Sequence, residues 1–299
     1  MTLPASGALT FGQINTELGD ISTSTRSLND AVSRALARVP SGLIAVSNFY
    51  GKSSGFKQGI FGFGSGNFSP SFMSTITNIV SSAGVVASDV SGVGNIKRAL
   101  QAATFGGDKG IFGFGYTYVG STTTTLSQNI VSNTGVVASD TFTSGSSRTS
   151  GAGAGYGNDK GLYAFGRPFG GSNVNTRNLI ANTGVVASDT AGAGTARQAV
   201  FGATYGYDKA IFGFGFTTSR TAITNLVSST GVIATDTAGV GTVGDSSACG
   251  YGGTKAIFGF KYNGSFSTTT NLVSSTGVVA SDTTSAGTAR YPAATSWGQ

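Results

Sequence analysis

The sequence predicts an all-β fold: a five-bladed β-propeller of four-stranded blades, with a small helical N-terminal module before it. Three observations predict this. One motif, "DKGIFGFG" at 108–115, recurs with small changes, its apolar anchors being Ile60, Ile111, Leu162, Ile211 and Ile257, spaced 51, 51, 49 and 46 residues apart. Each copy belongs to a unit of four short β-type segments, the period of one propeller blade. The chain enters the first unit at its second segment and leaves through a first segment with nothing after it.

Composition agrees. Of 299 residues 48 are Gly, with no period of three, and only 10% are charged. Gly, Thr and β-branched residues are poor helix formers and suit short strands joined by tight turns.

Residues 1–53 stand outside the repeats. "TFGQ" (10–13) and "SLND" (27–30) each place Thr or Ser three positions before a polar side chain, as helix starts do. Leu28, Ala31, Val32, Ala35, Leu36 and Val39 then follow helical spacing, Arg34 and Arg38 fall near the helix end, and Pro40-Ser-Gly42 stops it. This is either a helical cap on the repeats or a docking module.

From residue 54 to 299 the units follow. Segment one is led by Arg98, Arg148, Arg197 or Arg290 and is clearest as "RQAVFGATYG" (197–206). Segment two is the Ile-Phe-Gly-Phe motif. Segments three and four form "TNLVSSTGVVASD" (270–282) and its relatives at 77–89, 128–140, 177–189 and 224–236. The "STG" or "NTG" between them is a hairpin turn signal. The final "RYPAATSWG" (290–298) is a segment one. Its Trp297-Gly298 falls where Phe105-Gly106, Tyr156-Gly157, Tyr205-Gly206 and Tyr251-Gly252 fall in the complete units. The C-terminal strand thus completes the first blade, near Phe56, and closes the ring without a free sheet edge. A solenoid would want polar capping repeats at both ends.

Stacked blades bury both faces of each sheet, so segment two lacks polar alternation. Side-chain alternation puts Phe112 and Phe114 on one face and Ile111, Gly113 and Gly115 on the other. Gly113 then marks the close approach of a neighbouring sheet rather than a phosphate cradle, since a dinucleotide fingerprint needs a following helix and Thr-rich sequence follows instead.

Antiparallel order places the segment-two/three loops and the segment-four/one links on one rim. Those loops differ most between units. They hold Phe68, Phe72, Tyr116, Tyr118, Arg167, Phe169, Asn173, Phe216, Arg220, Tyr262 and Phe266. Aromatics beside Asn and Arg on a rigid scaffold stack on and hydrogen-bond a glycan or protein epitope; the other reading is drifting linker whose aromatics tuck onto the blade.

Asp89, Asp140, Asp189, Asp236 and Asp282 recur at the end of segment four. A ring of carboxylates could hold calcium. The better reading is an internal brace, because an Arg follows eight or nine residues later in four units: Asp89 with Arg98, Asp140 with Arg148, Asp189 with Arg197, Asp282 with Arg290. Gly244 follows Asp236, so that unit should lack the brace. Asp108, Asp159 and Asp208 read as turn residues. Paired carboxylates can cleave a glycosidic bond, but a feature repeated around a ring suits architecture better than one special pair. Cys249 aligns with Ala103, Ala154 and Ala203 and reads as a small buried apolar residue.

The chain has no histidine and one cysteine, which removes Ser-His and Cys-His nucleophiles, the usual metal ligand and any disulfide framework. The formal charge of +6 comes from scattered basic residues, not the clustered patch that nucleic acid requires. The start lacks a signal-peptide pattern and no stretch is long enough to span a membrane, so a soluble chain made in a cytoplasm is expected. No catalytic residue, metal or cofactor is implied.

The repeats resemble the kelch family of β-propellers. The Arg-led inner strand, the apolar-aromatic second strand ending in Gly and the period near 50 carry the likeness over about 54–299; the kelch double glycine appears here as Phe-Gly. That resemblance implies a binding platform rather than an enzyme. "LTFGQINTELG" (9–19), "SLNDAVSRALARV" (27–39) and "GLIAVSNFYGKS" (42–53) look like an N-terminal segment of tailed-bacteriophage virion proteins, tail or fibre components among them. Together the two imply a virion protein, made in the host cytoplasm, anchored by its N-terminal module and present in several copies. Its partners would be other tail or baseplate proteins and a host-surface glycan or protein. A head or tail decoration subunit without ligand is the alternative, and a glycan-processing enzyme a more distant one.

Overall fold

The structure is a computed structural model that describes residues 3–4, 7–18, 22–23, 25, 27–37, 39, 42–49, 59–65, 73–81, 84–118 and 120–289. Phe56, Phe68, Phe72, Arg38, Pro40, Arg290 and the rest of the terminal segment, with Trp297, lie outside the described residues.

The fold is mostly β. Short helices α1 (Phe11–Glu17) and α2 (Ala31–Ala37) come first. Thr10 and Gln13 form a reciprocal capping box on α1, as the sequence predicts. For α2 the cap lies at the other end of "SLND": Asp30 accepts the Ser33 N–H at 2.7 Å, while Ser27 takes the Asn29 N–H in the preceding turn. Asp30 directly precedes the first helical residue, where an Asp oxygen reaches the N–H three residues on, and Ser27 lies too far back to do so. Leu3, Ile14, Leu36, Ala37 and Phe49 form a cluster of their own, separate from the β cores.

Five main antiparallel sheets follow, one per repeat, and a separate two-stranded hairpin accompanies the second. Sheet I has β1 (Gly59–Gly62) and β2 (Thr77–Val80). Sheet II has β3 (Gln101–Phe105) and β4 (Lys109–Gly113), a side hairpin of β5 (Tyr116–Tyr118) and β6 (Thr122–Thr124), then β7 (Ser127–Val131) and β8 (Thr141–Phe142). Sheet III has β9 (Ala152–Tyr156), β10 (Lys160–Gly166) and β11 (Val174–Ile180); sheet IV has β12 (Phe201–Tyr205), β13 (Lys209–Gly213) and β14 (Thr224–Val227). Sheet V has β15 (Asp245–Tyr251), β16 (Lys255–Tyr262), β17 (Phe266–Val273) and β18 (Thr283–Thr284).

Segment four is slighter than the sequence predicts. It pairs through single bridges at Val86, Val137, Val186, Ile233 and Val279. Pairing with segment three resumes four residues on, at Val90, Thr141, Thr190, Thr237 and Thr283. Between the two contacts an Asn amide on segment three takes the carbonyl: Asn129 Nδ2 donates to Ala138 O, and Asn78, Asn178, Asn225 and Asn271 do likewise at 3.0–3.1 Å.

Consecutive sheets pack face to face, with β3, β9, β12 and β15 as successive neighbours. Glycine permits this: a Cβ on Gly153 would stand 2.2 Å from Ala102 O, and one on Gly113 would stand 2.8 Å from the Tyr163 hydroxyl. Gly113 is thus a packing glycine. Phe112 and Phe114, however, do not share a face. Phe112 meets Phe63 of sheet I, whereas Phe114 meets Tyr163 of sheet III, both edge-to-face. Alternation fails because β4 ends at Gly113 and Phe114 takes a left-handed backbone, φ +58°. Phe63, Phe165, Phe214 and Phe260 do the same.

The two outermost faces are only half covered among the described residues. Phe105, Tyr156 and Tyr205 each pack beneath a turn glycine of the next sheet (Gly184, Gly231, Gly277), but the matching turn glycine of sheet I, Gly84, meets nothing within 4 Å. Tyr251 and Ile257 on sheet V are half-buried where their counterparts are buried, and Phe61 on sheet I is exposed where Phe112, Tyr163, Phe212 and Phe258 are buried. Cys249 shares this seam, so it is half-buried rather than buried as its alignment with alanine suggests.

Candidate functional site

At the rim where segment two ends, each of sheets II to V encloses a buried cation. In sheet III, Arg148 donates from Nε to Phe165 O at 2.8 Å and from Nη2 to Asn178 Oδ1 at 2.6 Å, and Asp189 Oδ1 lies 3.8 Å from its Nη1. Its guanidinium also covers the Phe114 ring of sheet II at 4.4 Å. Arg197 repeats this in sheet IV, with Phe214 O, Asn225, the charge of Asp236 and the Phe165 ring at 4.2 Å. Lys97 serves sheet II, bonded to Asn129 and to Asp140 at 3.0 Å over the Phe63 ring. The left-handed Phe therefore has two uses: its carbonyl turns to its own sheet's Arg, and its ring lies under the next sheet's cation.

These contacts correct the expected brace. Three of the Asp residues pair with the cation that opens their own sheet, not with the Arg that follows into the next: Asp140 takes Lys97 instead of Arg148, Asp189 takes Arg148 instead of Arg197, and Asp236, expected to have none, has Arg197. The reason is topological. The first and last segments of a four-stranded sheet reach the same rim, while the link carries the following Arg away. Arg98 is not a brace to Asp89; it aligns with Thr149 and Gln198 and stacks on Tyr116 at 5.2 Å. One residue of register separates it from the buried Lys97, and that residue reverses its face. Asp282 pairs with Lys261 at 3.5 Å, and Arg290 lies outside the described residues.

Burial lowers the Lys97 and Lys261 ammonium groups, opposed by Asp140 and Asp282 respectively, and lowers Arg148 and Arg197 to about 10. Burial raises the Asp282 carboxyl, but hydrogen bonds from Thr242 and Asn271 and the charge of Lys261 outweigh it and bring it to about 2.

The chain matches no family model and no curated protein.

The variable loops sit on the same rim. Tyr116 and Phe169, from adjacent sheets, meet edge-to-face with centroids 6.3 Å apart, and Arg98 covers Tyr116. A second group joins Arg220, 5.2 Å from the Tyr262 ring centre, to Phe266, whose ring lies 5.0 Å from that of Tyr262. Phe169 and Phe266 are 58% and 48% exposed, so neither is tucked away. Arg167 is exposed and its Nε holds Gly171 O at 2.7 Å. Asn173 is committed to structure: its amide bonds Phe216 O and Thr217 O of the next loop. Tyr118 sits half-buried on the β5–β6 hairpin opposite Thr122, and Phe216 is half-buried opposite Arg220.

On the opposite rim, Asp108, Asp159 and Asp208 each pair with the Lys that follows at 2.8–2.9 Å, as turn residues would. The five repeat-phased carboxylates go to five different sheets, and among the described residues no group of three or more Asp, Glu or Cys is placed to hold a metal.

The residues missed from sequence are Lys97, Lys261 and the five asparagines. The signal for the asparagines was available: an Asn in every copy of a strand motif, where a residue of low strand propensity needs another reason to recur.

Proposed function

We propose that the five sheets are blades of a closed, five-bladed kelch-like propeller, and that the chain is a bacteriophage virion protein. It is anchored in the tail, fibre or baseplate by its helical N-terminal module and presents the loop rim to a host-surface molecule or another virion protein. Recognition rather than catalysis is its role. The observation that carries this reading is the pair of rim clusters, Arg98–Tyr116–Phe169 and Arg220–Tyr262–Phe266, each exposing an aromatic ring on a scaffold fixed by buried ion pairs. Closure is supported by the half-covered faces of sheets V and I, which are complementary in kind, and by the sequence of 290–299, which supplies the one segment that sheet I lacks among the described residues.

One observation favours the architectural alternative. Val85, Val136, Val185, Val232 and Val278 are 54–67% exposed at the same place on every outer segment, as lateral contacts between neighbouring subunits would use. Immunogold labelling of the particle and adsorption competition separate the two. Purified full-length chain in excess blocks attachment if the rim binds the host. Tail labelling without competition leaves the architectural role.

A further inference from the structure

The two rim clusters share a plan but differ in charge. Arg220 is paired with Asp245 at 3.2 Å, so the cluster across sheets IV and V is neutralised. Arg98 and Arg167, across sheets II and III, have no acidic partner among the described residues, and the Nη donors of Arg167 make no hydrogen bond there. Backbone pairing joins the segments that carry them. Arg98 bridges Tyr116 and Thr149 bridges Arg167, while Ser150 N–H and the Thr149 hydroxyl both donate to Ala99 O.

Resting on the recognition reading above, we propose that Arg98, Tyr116, Arg167 and Phe169 form a binding site for a carboxylated saccharide. The planar guanidinium fork matches a carboxylate and holds it by charge-assisted hydrogen bonds. Phe169, the more exposed of the two rim phenylalanines and braced at right angles by Tyr116, offers a flat apolar surface to the C–H face of a pyranose ring. Two cations without acidic partners select an anion. The surroundings select a sugar over a protein: Gly170, Gly171 and Ser172 follow Phe169 in its loop, a polar, small-residue frame without the apolar centre that a protein interface of about 800 Å² per side requires.

The test is calorimetric titration of the full-length chain with oligogalacturonate, neutral dextran oligomers and polyglutamate. Oligogalacturonate binds, more weakly as salt rises, and dextran does not. Phe169→Ala and the double variant Arg98→Gln/Arg167→Gln each weaken binding at least tenfold, while Arg220→Gln leaves it unchanged. No binding of oligogalacturonate overturns the proposal. So does equal binding of polyglutamate with no effect of Phe169→Ala, which is polyanion attraction only. If the wild type and a variant combining Arg98→Gln, Arg167→Gln and Phe169→Ala compete equally for host attachment, host recognition stands and this site fails. If saccharide binding follows the variants but no competition occurs, the site stands and the host-recognition reading fails.

Discussion

The Lys261 ammonium lies 4.1 Å from the centre of the Phe214 ring, the relation that Arg197 has with Phe165 at 4.2 Å. Lys261 comes from segment two and Arg197 from the start of segment one. The position that would supply an Arg to sheet V holds Gly244, and Lys261 reaches the same place from the neighbouring strand, bonding Asn271 Oδ1 at 2.5 Å and Thr242 O at 2.7 Å. The site is kept while the residue that fills it moves. Removing one partner of a buried pair leaves the other uncompensated, so Lys261→Ala should cost about 3 kcal/mol, the low end for such pairs because Asp282 is partly exposed. Exposed Lys255→Ala should cost less than about 0.5 kcal/mol. Urea denaturation measures both.

Sheet spacing makes two glycines behave differently. Gly153→Ala forces a Cβ to 2.2 Å from a backbone carbonyl that has no room to retreat. A cost of about 3 kcal/mol is expected, the upper range for overpacking. Gly110→Ala places its Cβ 3.6 Å from Val131, an ordinary contact, and Ala210 and Ala256 already occupy that position elsewhere. Its change should stay within about 0.5 kcal/mol. Equal melting temperatures for the two variants would contradict the close packing of β3 against β9.

The carboxylates set an acid limit. Asp282 is brought from 3.8 to about 2, and Asp236 is lowered by hydrogen bonds from Thr195 and Asn225 and by Arg197. A folded-state value below the unfolded one means stability that is present above about pH 4 and lost as the pH falls toward 2. The stability difference between wild type and Asp282→Asn should therefore shrink between pH 5 and pH 2. A difference that stays constant over that range would show that Asp282 does not titrate as described.

The repeat, its four segments and the packing role of Gly113 were legible because they follow from period and alternation. The Thr10 capping box was legible for the same local reason. The brace was only half legible. Sequence marks Asp140 and Arg148 as neighbours eight residues apart, but the sheet joins Asp140 to Lys97, 43 residues back. Pairing across a sheet depends on which segments share a rim. The Arg98 register was misread because the buried cation of that unit is Lys97, so that matching Arg to Arg slips the alignment by one residue. The faces of Phe112 and Phe114 were misread because Phe114, left-handed at φ +58°, interrupts the two-residue alternation that the reading assumed. On the rim, the aromatics were legible as residues but their pairing between loops was not.

Tyr163 is fully buried and its hydroxyl has no hydrogen-bond partner among the described residues. Phe61, Phe112, Phe212 and Phe258 hold the corresponding places, so Phe fits. An unsatisfied buried hydroxyl costs about 1–3 kcal/mol, and Tyr163→Phe should raise stability by about 1 kcal/mol. A loss instead would mean that an ordered water satisfies the hydroxyl together with the Gln101 amide and Gln128 Oε1, which also lack partners there.

Ring closure has a chemical reporter. Cys249 is the only cysteine, and it lies half-buried on the face of sheet V that the first blade would cover. Burial already pushes its thiol up, which slows reaction with disulfide reagents. If the segment 290–299 completes the first blade against sheet V, the full-length chain should label at Cys249 slowly, and a chain ending at residue 289 should label at least tenfold faster. The same truncation should lower the melting temperature by roughly 10 °C, as expected when a strand worth several kcal/mol is removed from a domain of this size. Arg290→Met tests the brace alone. In sheet I, Asp89 bonds Asn78 at 2.8 Å and meets no cation among the described residues. By the pattern of the other four sheets, the C-terminal Arg is the missing one, and its loss should cost about 3 kcal/mol while leaving labelling slow. Equal labelling rates and equal melting temperatures for the full-length and truncated chains would rule out the shared blade.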